Sequence, residues 1–139
     1  MSTVKIHMDW KSDMAFEADL NGHKLIIDAP HAAGGNDLGP TPKPLMLVAL
    51  AGCTGIDVVS ILKKMRVKLE GFRVWVEAEQ TETYPKHYSS MKVIYEFKGK
   101  DLPMDKLEKA VALSEDQYCG VSYLYKKAIP VTTEIRVVE

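Results

Sequence analysis

Two cysteines, Cys53 and Cys119, carry the most reactive side chains in this 139-residue sequence. Cys53 lies in the apolar stretch LVALAGCTGIDVVSILKKM, Leu47 to Met65, with Gly52 and Gly55 around it and Asp57 one turn later. A thiolate can attack a peroxide, a disulfide or an electrophilic ligand, provided something lowers its pKa and opens a path to it. Cys53 should lie about three turns into its helix, where the helix dipole no longer activates it. A carboxylate such as Asp57 raises a thiol's pKa unless that charge is itself paired. Cys119 follows Ser114-Glu115-Asp116-Gln117, whose Ser and Gln spacing fits a capping box. That pattern starts a helix over EDQYCGVSYLYKKA and gives Cys119 partial help from the helix N-terminus. The plain alternative is a pair of buried thiols packed as small hydrophobes. Gly52 and Gly55 each cost a helix about 1 kcal/mol relative to Ala. They imply close approach by a ligand or by a neighbouring element, and the spacing alone does not choose.

Other groupings say less. His7, His23, His31 and His87 lack metal-ligand spacing. AAGGNDLG has no phosphate-loop or dinucleotide pattern and reads as a flexible loop. KKMRVK reads as a solvated helix end, and 18 Lys+Arg against 19 Asp+Glu gives no basic excess for nucleic acid. Tyr118, Tyr123 and Tyr125 cluster near Cys119, where they could wall an apolar pocket, although core packing is the simpler role.

The elements that must position the thiols follow from periodicity. The length fits one domain, 1–139, with a core that needs no disulfide. TVKIHMDW alternates as a half-buried strand, and MAFEADL and HKLIIDA flank Asn21-Gly22, a hairpin turn. Residues 1–29 therefore read as a β-meander. A Gly- and Pro-rich loop follows, PHAAGGNDLGPTPKP. A long helix over 42–66 comes next, with Thr41 as N-cap, Pro42 at its first position and Lys63, Lys64 and Arg66 at its end. Its first half is apolar all round, which implies burial. Cys53, Asp57, Ser60 and Lys64 share one narrow face. A β-hairpin over 71–99, two helices over 103–127 and a strand over 130–139 complete an α+β order of β-β-β-α-β-β-α-α-β.

MSTVKIHMDW is too polar for a signal peptide, and the longest apolar run, Leu45 to Ala51, is too short to span a membrane. These features predict a soluble cytoplasmic protein, where cysteines are free or redox-active and not permanent staples.

GPTPKPLMLVALAGCTGIDVVSILKKM, paired with LSEDQYCGV further on, resembles the OsmC/Ohr family of thiol-dependent peroxidases, in its OsmC-like branch. The motif likeness runs from Gly39 to Val121, and the element order matches throughout. The resemblance implies an intertwined homodimer with the long helix buried at the interface. It implies Cys53 as the peroxidatic cysteine and Cys119 as the resolving one. It further implies a small organic hydroperoxide as substrate, an external dithiol as reductant, and no metal or bound cofactor. The sequence departs from the family at one point. The family's N-terminal Arg is missing, since no Arg precedes Arg66, and Lys43-Pro44 stands where a Glu precedes the cysteine. Lys43 and His31 are the candidates for a replacement positive charge, with Asp57 as a further supporting residue. The alternative is a dimeric module that binds a small apolar or thiol-containing ligand without catalysis.

Overall fold

The computed structural model describes all 139 residues, and the chain divides into two compact units, Met1–Met46 and Leu47–Glu139. The architecture is α+β, with two three-stranded sheets and three helices in the expected order.

In the first unit, β1 (Met8–Ser12), β2 (Ala15–Leu20) and β3 (His23–Ile27) form an antiparallel meander. Asn21 and Gly22 both take positive φ, 53° and 83°, as a tight two-residue hairpin requires. The first strand is shorter than its alternation predicted, because residues 3–7 have no partner strand and stay exposed.

The loop after β3 reads as flexible in sequence and is instead tied down. Buried Asp28 accepts hydrogen bonds from the backbone N–H groups of Ala29 (2.7 Å), Leu38 (3.1 Å) and Asn36 (3.3 Å). A Cβ on Gly35 would fall 2.0 Å from the Ala29 carbonyl oxygen, so the turn closes only around glycine.

The long helix α1 runs over Leu45–Lys64, shorter than expected at both ends. Thr41 lies outside any element and residues 42–45 form a turn, in which Leu45 N–H donates to Pro42 O, and Arg66 ends the helix in the left-handed region at φ 61°. Taken whole, α1 is long and apolar enough to cross a membrane by length and composition. Its Leu50, Val58 and Leu62 side is part of the core of the second unit. Within the single chain, Met46 and Val48 in its first half are exposed, as are Ile56 and Val59 further along.

In that unit, β4 (Gly71–Gln80) and β5 (Tyr88–Lys98) pair antiparallel, and β6 (Val131–Val138) lies parallel to β5. A parallel partner needs a long crossover. It is supplied by α2 (Met104–Leu113), a π turn (Ser114–Tyr118) and α3 (Gly120–Ala128). The central strand β5 is the most buried, with Val93, Tyr95 and Phe97 on its core side.

Candidate active site

Cys53 and Cys119 come together. The two thiols lie close together, near enough for Cys53 to raise the Cys119 pKa, and neither is in a disulfide. Cys53 is half-buried on α1, and Cys119 is buried. The pair is therefore asymmetric: Cys53 is partly exposed and Cys119 is not.

Cys119 does not sit inside a helix, as the capping-box reading expected. Ser114 is the C-cap of α2 and begins the π turn, so it is not the N-cap that the spacing suggests. Cys119 is itself the N-cap of α3, and its sulfur accepts a 3.3 Å hydrogen bond from Ser122 N–H. Burial first, then the contact with Cys53, pushes the Cys119 thiol up to about 12, against the pull of the Ser122 and Val121 N–H groups. At neutral pH Cys119 is thus a neutral thiol beside Cys53.

The two glycines beside Cys53 have different roles. A Cβ at Gly55 would meet Val74 Cγ1 at 3.2 Å, so this glycine serves close packing of α1 on β4. A Cβ at Gly52 would meet nothing within 4 Å. Gly52 instead lines an open apolar groove with Val48, Ile56, Val59, Phe72 and Val74.

Asp57 reaches the π turn. Its Oδ2 accepts a 2.9 Å hydrogen bond from the Ser114 hydroxyl, tying α1 to the start of the π turn. Lys43 and His31 belong to the first unit, where His31 opens a single 3-10 turn, His31–Ala33. The tyrosines singled out in the sequence divide: Tyr118 and Tyr123 are exposed, and Tyr125 packs against the core.

The aromatic residue that matters most was not among them. Tyr95, fully buried on β5, donates a 2.5 Å hydrogen bond to Glu115 Oε1. Glu115 Oε2 accepts from the Ser122 hydroxyl at 2.9 Å and from Lys126 Nζ at 3.3 Å. Burial first, then Glu115, holds the Tyr95 hydroxyl well above the ordinary tyrosine range, and the Thr54 hydroxyl also reaches it. Strand, turn and helix are thereby joined around one buried carboxylate. The only sequence signal was the in-phase position of Tyr95 between Val93 and Phe97 on an inward strand face. Glu115 gave none, because a carboxylate in an apparent capping box is expected at the surface.

The comparisons agree with this architecture. The family described as OsmC-like protein matches residues 34–134. Protein YhfA of Escherichia coli is 29% identical over 136 residues, covering 97% of this chain and 98% of its own. A hypothetical protein from Aquifex aeolicus superposes with a TM-score of 0.84 at 26% identity, covering both chains completely. The organic hydroperoxide resistance protein OhrB of Bacillus subtilis gives a TM-score of 0.67 at 18% identity, over 97% of this chain and 98% of its own, a likeness of fold alone. With a family match across most of its length, this chain belongs to the OsmC-like protein family.

Proposed function

We propose that the protein reduces organic hydroperoxides at the expense of an external dithiol, acting as a homodimer in a reducing cytoplasm. The observation that carries this reading is the contact between a half-buried Cys53 and a buried, protonated Cys119. The Cys53 thiolate attacks the O–O bond of the hydroperoxide. An S–O bond forms, the O–O bond breaks, and the alkoxide leaves and takes a proton to become the alcohol. Cys119 then attacks the Cys53 sulfenic acid: the disulfide forms, and the hydroxyl departs as water with the Cys119 proton. An external dithiol restores both thiols by exchange and is itself oxidised. A family neighbour in Bacillus subtilis is named for organic hydroperoxide resistance, which supports the substrate class.

The dimer is supported by the apolar side of α1. Val48 is 65% exposed and Ile56 74%, beside the groove at Gly52. A contiguous apolar face of this kind marks an interaction surface, and a second copy is the occupant the family resemblance implies.

The test uses the reduced protein and one equivalent of cumene hydroperoxide, quenched within seconds. Intact mass should fall by two hydrogens, and non-reducing peptide mapping should give a linked Cys53–Cys119 peptide. Two free thiols after minutes of exposure would overturn the peroxidase reading. The second reading, a non-catalytic ligand-binding module, is favoured by the absence of any Arg before Arg66 and by Lys43-Pro44 ahead of Cys53. It predicts that outcome, together with ligand binding that survives Cys119→Ser.

A further inference from the structure

We propose that Glu115 is the positioning residue of the Cys119 thiol: by gripping Tyr95 and Ser122 it holds the sulfur in its capped position beside Cys53, and so governs how fast Cys119 closes a disulfide. The inference rests on the reading of Cys119 as the resolving thiol.

The geometry is a closed loop of contacts around one sulfur. Cys119 N–H donates to Ser114 O at 2.8 Å, which seats the residue at the end of the π turn. Ser122 N–H donates to its sulfur at 3.3 Å. Glu115, one residue after Ser114, holds the hydroxyl of that same Ser122 at 2.9 Å. Its other oxygen is fixed by Tyr95 on β5, and Ser114 itself is fixed to Asp57 on α1. Glu115 therefore ties both walls of the turn that carries Cys119 to the central strand. A buried carboxylate is an expensive way to hold a core together, since apolar residues of similar volume usually serve stability as well or better. What it adds is a fixed geometry, and thiol–disulfide exchange depends on the alignment of the attacking sulfur.

The titratable side chains facing Cys119 are Cys53 from α1, Tyr95 from β5 and Tyr125 from α3. None of them is a cation that would activate the thiol. Its thiolate is helped by the Ser122 and Val121 N–H groups, the first of them 3.3 Å from the sulfur, and both stay aimed at it while the turn is held.

The experiment reads the attack of Cys119 without any peroxide. Reduced protein is mixed with one equivalent of dithiobis-nitrobenzoate. The Cys53 thiolate forms a mixed disulfide and expels one thionitrobenzoate. The Cys119 thiolate, its proton lost to solvent, then attacks the Cys53 sulfur. The internal disulfide forms, the mixed disulfide breaks, and its electron pair leaves with the second thionitrobenzoate. Two variants are compared with wild type. One is Glu115→Gln, which places an NH2 where donors point. The other is the combined Tyr95→Phe, Glu115→Leu, Ser122→Ala, which removes the partners together so that the fold is retained. In both, the first release should be unchanged and the second slower by about tenfold or more. The pH midpoint of the second release should also move up, as the sulfur loses its N–H donors. Folded variants whose second release keeps the wild-type rate within about twofold, at the same midpoint, would overturn the proposal. The readout is independent of hydroperoxide chemistry. If cumene hydroperoxide fails to oxidise the protein while the second release still depends on Glu115, the peroxidase reading falls and this inference stands.

Discussion

The Tyr95 hydroxyl and Glu115 Oε1 lie 2.5 Å apart in the core, a phenol donating to a carboxylate from which water is nearly excluded. Hydrogen bonds to charged acceptors are the stronger ones, and a buried acceptor stripped of its donor loses most. Tyr95→Phe should therefore lower the unfolding free energy by about 1–3 kcal/mol. Urea titration checks the size. The companion Tyr95→Phe, Glu115→Leu should recover part of that loss, because the carboxylate that needs the donor is gone.

Cys119 occupies a position that serine commonly holds. As N-cap it accepts from Ser122 N–H, and Ser is among the preferred N-caps. Cys119→Ser should fold with wild-type stability, within about 0.5 kcal/mol. It should also stop the thiol cycle halfway. With dithiobis-nitrobenzoate it should release a single thionitrobenzoate and retain the mixed disulfide on Cys53, seen as added mass. Release of a second equivalent would exclude Cys119 as the attacking group.

Much of this arrangement could be read from the chain, and the unread part has definite physical causes. Asn21-Gly22 marked its hairpin because few other pairs take positive φ twice. The strands showed through their alternation, and α1 through its apolar composition. Alternation does not distinguish a parallel neighbour from an antiparallel one, so the pairing of β6 with β5 was not visible. Ser114 and Gln117 have the spacing of a capping box, yet the backbone there forms a π turn and the cap falls on Cys119. A helix starting at Ser114 would put Glu115 in its first turn, so nothing in the sequence marked Glu115 as a core residue. Likewise, Asp57, one turn after Cys53, accepts a hydrogen bond from the Ser114 hydroxyl, a long-range contact that no local spacing foretells.

Asp28 gives the first unit an acid-sensitive tie. The Leu38 N–H above all, and the Ala29 and Asn36 N–H groups, hold its carboxyl below the usual carboxylate range, against the opposing effect of burial. A depressed folded pKa adds stability that is complete above the unfolded value, about 4, and is lost as pH falls through the folded one. Asp28→Asn should lower stability at neutral pH and flatten its decline below about pH 4. Gly35→Ala should damage the same loop at every pH, since its Cβ meets Ala29 O. Unfolding followed at a series of pH values separates the two effects.

Ile56 decides whether the open side of α1 is an interface. It is 74% exposed and borders the apolar groove with Val48 and Val59. A carboxylate placed there costs an isolated chain little, because surface substitutions usually stay within about 0.5 kcal/mol. In a dimer that buries this face the same carboxylate would be desolvated without a partner, at a cost large enough to separate the copies. Ile56→Asp should therefore convert a dimer to a well-folded monomer in sedimentation equilibrium. Its far-ultraviolet circular dichroism should be unchanged, because nothing in the second unit's core depends on that side chain. A variant that sediments like wild type would place the interface elsewhere or remove it. In that case Gly52 would be conserving space for a ligand and not for a second helix, and the groove would become the place to look for one.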